Sequence, residues 1–267
     1  TRSIEQRQPW PAYNRIQEVD NVVNSTYHAF NTRLQQRFSH SLTYNFGFTW
    51  SKAIDGGSGI RTNSGDRLYP LDSYDLRREK GLSQFHQGRR MVSSIIYELP
   101  VGSGKQFLSQ TPVVKDVLGG WQIGTILTFT DGSPKNVGSI GDTHSVGSLG
   151  NYPDATGLPL IPENRSMFNF WNRSAFDATN PDLTWRAGNS GRNTLTSPGL
   201  RNWDFSLIKN TRIREGHRLE FRFEAFNFSN HPNWNTPATD VRSASTFGRV
   251  TSARTMRELQ FGLKYSF

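Results

Sequence analysis

Apolar and polar residues alternate along several stretches of this chain, and the clearest stretch covers residues 41–51. Successive side chains of an extended strand point to opposite sides, so strict alternation gives a strand one apolar and one polar face. Small or polar residues occupy the second face here. The pattern therefore predicts a long, two-faced β-strand. Its apolar set is Leu42, Tyr44, Phe46, Phe48 and Trp50.

Six further segments alternate in the same way and extend the prediction to seven strands. Each is longer than the about 5–6 residues typical of strands in globular proteins. Each also reaches the about 9–11 residues that a tilted membrane strand needs, so length favours a membrane β-barrel over a soluble β-sandwich. Tryptophans near strand ends (Trp50, Trp121 and Trp203) suit the aromatic girdles of such barrels. The six segments are residues 25–38, 89–99, 119–130, 202–211, 218–228 and 258–267.

The connections between the predicted strands alternate between short and long. Outer-membrane barrels show this asymmetry, with short periplasmic turns and long extracellular loops. The longest connection has about seventy residues, a length that is uncommon in compact soluble domains and usually functional. The long connections are residues 52–87, 131–201 and 229–257.

The fold class predicted is therefore all-β, an antiparallel transmembrane β-barrel segment of about seven long strands with long extracellular loops. Bacterial single-chain barrels have an even number of strands and at least eight. An open edge would leave backbone groups unpaired in lipid, at a cost of several kcal/mol each. We therefore expect residues 1–267 to be the C-terminal portion of a larger barrel.

Composition refines this picture by showing where the apolar surface is concentrated. Only 34% of residues are hydrophobic, yet the chain contains 18 Phe, 8 Tyr and 7 Trp. There is no run of about 18 apolar residues, so no membrane-spanning helix is expected. The net charge of +9 comes from scattered basic residues, which are more typical of a solvated surface than of a nucleic-acid site. No nucleic-acid partner is expected.

Signals of catalysis and of metal or cofactor binding are poor. The chain has no cysteine, which excludes disulfides and thiolate metal sites. Its six histidines lack metal-ligand spacing such as His-Glu-x-x-His, and no Gly-x-Ser-x-Gly elbow occurs. We expect a protein that is not an enzyme and carries no cofactor.

A series of four charged residues alternates along the sixth predicted strand. In a barrel this series must face the lumen, because an arginine on the lipid face costs about 2–4 kcal/mol at the bilayer midplane. Two interpretations stay open, a salt-bridge lattice against neighbouring strands or a plug, and a role in substrate passage or gating. The series is Arg218, Glu220, Arg222 and Glu224.

Two tryptophans of the longest connection, Trp171 and Trp185, are candidates for ligand contact. Aromatic rings in a polar loop can stack on a sugar or hold a peptide. The alternative is that they pack the loop onto itself or over the barrel mouth.

Seven short motifs are spread along nearly the whole chain. They are WSKAID at 50–55, YELPVG at 97–102, GGWQI at 119–123, GNSGRN at 188–193, NWDFSL at 202–207, EAFNFSNHP at 224–232 and FGRVTSAR at 247–254. Each motif alone is a weak signal, but together, in order and spacing, they resemble the C-terminal barrel of TonB-dependent receptors, in particular the Oar-like group.

The resemblance implies a 22-stranded barrel in the outer membrane of a Gram-negative bacterium, surrounded by outer-membrane lipid and lipopolysaccharide. It also implies an N-terminal plug, absent from this chain, through which the TonB system drives uptake of a nutrient ligand whose identity is open. Proteins of this kind end in an alternating aromatic strand that is read by the barrel-assembly machinery. The matching residues here are Phe261, Leu263, Tyr265 and Phe267.

Two other functions remain open at this point. The same barrel could serve as a surface adhesion or structural protein without active transport. A soluble all-β carbohydrate-binding domain is the third possibility, and the length of the predicted strands counts against it.

Overall fold

The computed structural model of the chain describes residues 6, 10, 12–13, 18, 20–39, 41–58, 70–102, 105–107, 117–138, 140–145 and 150–267. Short 3-10 helices cover Leu76–Glu79, Arg173–Ala175 and Pro181–Thr184. In chain order the strands are β1 (Ser25–Ser39), β2 (Leu42–Asp55), β3 (Gly81–Leu82), β4 (Arg89–Glu98), β5 (Trp121–Thr130), β6 (Pro134–Lys135), β7 (Asp154–Ala155), β8 (Phe176–Asp177), β9 (Leu195–Thr196), β10 (Leu200–Arg214), β11 (His217–Phe226) and β12 (Glu258–Ser266).

Seven long strands in the described residues form one antiparallel sheet, in the order β1-β2-β4-β5-β10-β11-β12. Each long strand therefore pairs with the next long strand along the chain, and the short β3 pairs with the far end of β2. This arrangement confirms the prediction of an all-β, antiparallel fold built from seven long strands. It also puts the three short connections at one end of the sheet and the three long ones at the other.

Several strands extend beyond their predicted ends. β2 continues to Asp55 because its last residues pair with both β1 and β3. β10 runs to Arg214 and meets β11 at a two-residue turn of Glu215 and Gly216, where Gly216 has φ +78°. A glycine adopts this left-handed conformation without the steric cost that a side chain would add.

Gly120, in the motif GGWQI, is fixed by a close approach at the start of β5. Its φ is +71°, and a β-carbon there would collide with the carbonyl oxygen of Asn210 on β10. The backbone N–H of Asn210 donates to the carbonyl oxygen of Gly120 at 2.9 Å. The motif therefore sets the point at which β5 begins to pair with β10.

The register of the sheet separates two faces, because directly opposed residues of an antiparallel pair project to the same side. One cross-strand row on the apolar face runs from Phe48 through Met91 and Phe129 to Arg201. Further along this face the rings of Phe223 and Phe261 lie 5.2 Å apart. We call this side the apolar face and the opposite side the polar face. On the polar face the opposed pairs include Asn45–Ser94, Asn202–Thr128 and Glu220–Lys264.

Tryptophans of the apolar face lie towards both ends of the sheet. Trp50 is opposite Arg89 at the end with the long connections. Trp121 is opposite Lys209 at the other end, and the Lys209 ammonium lies 5.6 Å from the Trp121 ring centroid. This distribution matches the two girdles expected from the sequence.

The main hydrophobic core of the described residues lies outside the sheet, in the long connections. Two of these connections, between β5 and β10 and between β11 and β12, supply its side chains. Burying a large apolar side chain contributes about 1.5–3 kcal/mol, so these connections form a packed body. The core comprises Val137, Ile140, Phe170, Trp171, Ala175, Phe176, Leu183, Leu195, Val241, Phe247 and Val250.

Candidate functional site

The described parts of the three long connections assemble at one end of the sheet, and we call this assembly the loop unit. Trp171 lies at its centre and is 2% exposed. The Trp171 ring is 5.6 Å from that of Phe170 and 6.2 Å from that of Phe247. Its indole N–H donates to the carbonyl oxygen of Thr196 at 3.0 Å, which satisfies the one polar group that this burial removes from water.

Gly248, within the motif FGRVTSAR, lets the connection between β11 and β12 reach this core. Its φ is +71°, and a β-carbon there would lie 2.8 Å from the carbonyl oxygen of Trp171. The backbone N–H of Phe170 donates to the carbonyl oxygen of Gly248 at 2.8 Å. The motif thus joins two connections that are far apart in sequence.

Arg192, in the motif GNSGRN, links two connections, the one between β5 and β10 and the one between β2 and β4. Its guanidinium forms an ion pair with Asp55 and donates to the carbonyl oxygens of Asp55 at 2.8 Å and Glu79 at 2.7 Å. The side chains of Arg192 and Asp55 are 1% and 7% exposed. The Glu79 carboxylate accepts from the backbone N–H of Leu71 at 2.6 Å. We call this group the arginine staple.

A second polar cluster in the loop unit joins β7 to the segment that follows the 3-10 helix Pro181–Thr184. Arg186 donates to both carboxylate oxygens of Asp154, at 2.8 and 2.7 Å. This pairing outweighs the opposing effect of burial and, with hydrogen bonds from Asn180 and Asn189, holds the pKa of Asp154 below its usual value. A depressed carboxyl pKa means that the stabilisation is present at neutral pH and is lost as pH falls through the folded-state pKa.

The two candidate ligand-contacting tryptophans occupy different environments. Trp171 has the packing role that the sequence left open as the alternative. Trp185 is 82% exposed on the surface of the loop unit, immediately after the last 3-10 helix. Ligand contact therefore stays a prediction, and Trp185 is the residue that is free to make it.

The charged series on β11 lies on the polar face. The Arg222 guanidinium is 2.9 Å from the Glu220 carboxylate and 3.9 Å from that of Glu224. Across the strands, Arg218 is opposite Arg212 and Ser266. Partly exposed pairs of this kind contribute about 0–1 kcal/mol, so they add little to the stability of the sheet.

The four residues of the proposed assembly signal lie on or just after β12. Phe261, Leu263 and Tyr265 are opposite Phe223, Phe221 and Leu219 on the apolar face. All four side chains are exposed, from 51% for Tyr265 to 92% for Phe267. Their recognition by an assembly machinery remains a prediction.

A large cavity opens between the loop unit and the sheet, and we call it the cleft. Its volume is about 1070 Å³. The sheet contributes Phe48, Met91 and Phe129 from the apolar face, whereas the loop unit contributes Leu160 and Phe170 from above. The cleft was not predicted from the sequence, because it depends on contacts with loop segments that have no periodic pattern.

Three arginines, two histidines and one aspartate line the cleft. Arg89 makes a two-point contact with Asp131, at 2.9 and 3.1 Å. Arg165 stacks over the Phe170 ring, with its guanidinium carbon 3.6 Å from the centroid. Arg201 extends the apolar row beyond Phe129. The cleft therefore combines an apolar floor with an excess of positive charge.

Within the described ranges, no group of three or more His, Asp or Glu side chains is placed to hold a metal ion. Among the same residues, no helix is long and apolar enough to cross a membrane.

Comparison with known proteins identifies one family. A family model described as an outer membrane beta barrel domain matches residues 1–260. No curated protein and no solved structure matches the chain.

Proposed function

Because the chain belongs to the outer membrane β-barrel domain family, we propose that it forms part of the barrel of a TonB-dependent receptor for a scarce or large nutrient. Membership of the family implies an outer-membrane location in a Gram-negative bacterium. The step from barrel to receptor rests on further observations. The motif series supports it, since seven motifs follow the order of those receptors along nearly the whole chain.

The loop unit is the observation that carries the proposal. Barrel strands can be joined by short turns, and two of the connections here, between β1 and β2 and between β10 and β11, have only two residues each. The three long connections instead build a body with its own aromatic core and a buried arginine staple. A prefolded body at the barrel mouth offers a ligand a rigid surface, which reduces the ordering cost of binding.

In this proposal the long connections face the outside, as they do in outer-membrane barrels generally. The loop unit captures the ligand, with Trp185 as an exposed aromatic contact. The polar face, including the charged series on β11, lines the lumen through which the ligand passes. The TonB system, acting through an N-terminal plug, supplies the energy.

Uptake measurements in the native bacterium test this function. Four labelled probes, a ferric siderophore, an oligosaccharide, a peptide and vitamin B12, are offered to wild-type cells. Parallel cultures lack the gene for this protein or the gene for TonB. We expect one probe class to enter wild-type cells and to be excluded in both deletion strains. Uptake that persists without TonB, or no dependence on this protein for any probe, contradicts the proposal and favours an adhesion or structural barrel.

A pair of variants separates ligand capture from barrel assembly. Trp185→Ala removes an exposed ring of the loop unit, and we expect it to weaken capture of the transported probe. Trp50→Ala removes an exposed ring from the apolar face and serves as the matched control. Uptake is normalised to the amount of protein at the cell surface. Equal losses in both variants would contradict a contact between Trp185 and the ligand.

A further inference from the structure

The cleft opens on the apolar side of the sheet, away from the polar face. Phe48, Met91 and Phe129 are opposed in register and form one cross-strand row of that face. Arg201 continues the same row on β10. In an outer-membrane barrel the apolar face contacts lipid, so the cleft is continuous with the membrane and separate from any path through the lumen.

The row lies close to the end of the strands that carries the loop unit. Arg89 and Trp50 form the next opposed pair towards that end, and the Asp131 carboxylate that Arg89 contacts lies just beyond β5. Tryptophan and arginine are enriched where lipid chains give way to headgroups. The cleft thus spans the boundary between an apolar layer and a polar, charged layer.

Positive charge dominates the polar part of the cleft. Arg89 is neutralised by Asp131, which leaves Arg165 and Arg201 as the excess. His86 also lines the cleft, and burial lowers its pKa below the usual value, which disfavours its charged form. A ligand whose charge complements the polar part of the cleft carries negative charge at one end.

We propose that the cleft binds an anionic, acylated lipid of the outer leaflet, with its chains against the apolar row and its anionic headgroup at Arg165 and Arg201. A purely polar anion would leave the three apolar side chains without a partner. A neutral hydrocarbon would bury guanidinium groups without compensation, which is costly. A membrane lipid meets both requirements and reaches the cleft by lateral diffusion.

The loop unit supplies a second, independent feature beside the cleft. Ile161 lines the cavity and is 55% exposed, and Met167 and Phe168 nearby in sequence are 40% and 62% exposed. The Arg249 guanidinium carbon lies 5.7 Å from the centroid of the Phe168 ring. Exposed apolar side chains combined with arginine are typical of surfaces that enter a lipid headgroup layer.

The proposal rests on the outer-membrane location and the register, and it does not require transport. Native mass spectrometry of the full-length protein, purified in detergent with added lipid, measures its bound lipid directly. The probe is bisphosphorylated lipid A, compared with the dephosphorylated lipid and with inorganic phosphate. We expect the bisphosphorylated lipid to be retained, the dephosphorylated lipid to be lost, and inorganic phosphate to compete poorly.

Two neighbouring arginines provide a matched pair of variants. Arg201→Gln removes a charge from the cleft, and we expect affinity for lipid A to fall about tenfold, the effect of losing one hydrogen bond to a charged group. Arg90→Gln removes a charge at a similar height on the polar face, where Arg90 is opposite Thr49 and Thr130. This control is expected to bind lipid A like the wild type.

Arg165→Gln repeats the test from the loop unit, outside the strands that must assemble. Heat-modifiable migration in detergent gels confirms that each variant is folded. Equal binding by the Arg201, Arg165 and Arg90 variants overturns the proposal. Equal retention of the dephosphorylated lipid, or displacement of lipid A by inorganic phosphate at matched concentration, overturns it as well.

Discussion

Arg192 shows how one side chain can hold two distant connections together. Its guanidinium contacts Asp55 and the carbonyl oxygen of Glu79, which precede it by more than a hundred positions. A buried ion pair is often no more stable than a well-packed apolar replacement, whereas removal of one partner leaves a buried charge uncompensated. Substitution of Arg192 alone is therefore expected to cost more stability than the intact ion pair contributes.

Arg192→Ala is expected to destabilise the loop unit by about 3–5 kcal/mol, the typical cost of breaking a buried pair. Amide hydrogen exchange of the purified protein measures this as faster exchange of the Leu71 and Ser83 amides, by roughly a hundredfold or more. Arg242→Ala is the control, since Arg242 and its partner Asp240 are 56% and 44% exposed. That change should leave the exchange of these amides close to the wild-type rate, because exposed ion pairs contribute little to stability. Similar effects of the two substitutions would show that the staple does not hold the unit together.

Strand β12 is the element on which the assembly prediction depends. On the apolar face it forms four opposed pairs with β11, and its aromatic side chains are exposed. The same exposed side chains can contact lipid and can also be recognised by another protein. Assembly experiments can separate the two roles because the opposite face of the strand carries polar residues.

Phe267→Ala is expected to lower the amount of folded protein in the outer membrane several-fold, because it removes the last aromatic side chain of the proposed signal. Lys264→Gln changes the polar face of the same strand and is expected to assemble normally. Immunoblots of outer-membrane fractions, with and without heating, give the folded amount of each variant. Normal assembly of the Phe267 variant would rule out a role for this side chain as a signal.

At the level of elements, the sequence was sufficient for the sheet and insufficient for the loop unit. A two-residue period in segments such as 41–51 located the seven strands, because burial of one face imposes that period. The core around Trp171 has no period, since its members come from turns and two-residue strands. The arginine staple and the cleft depend on the folded positions of distant segments. Motifs such as GNSGRN marked these places without indicating what they do.

At the scale of the whole molecule, the sheet separates an apolar face from a polar face. Because the chain contains no cysteine, single introduced cysteines can show which face each residue lies on. Single substitutions Phe221→Cys and Arg222→Cys place thiols on adjacent residues of β11 that project to opposite faces. A hydrophilic maleimide is expected to label the cysteine at 222 from water and to leave the one at 221 protected by lipid. Trp185→Cys is expected to react on intact cells if the loop unit faces outside, as the proposed function requires.

Denatured protein, in which all three cysteines react equally, is the control for these labelling rates. Faster labelling at 221 than at 222 would reverse the assignment of the faces. No labelling of the Trp185 variant on intact cells would reverse the assignment of the ends, and with it the capture role proposed for the loop unit.

The alternating charges on β11 have a consequence for the fidelity of folding. A slip of β11 by one residue against β10 would turn every side chain of β11 to the opposite face of the sheet. Arg222 would then enter the hydrocarbon, at a cost of about 2–4 kcal/mol if it were near the midplane, whereas Arg218, close to the turn at the start of β11, would cost less. The charges therefore disfavour a one-residue slip of β11 and help to specify the register that the structure shows.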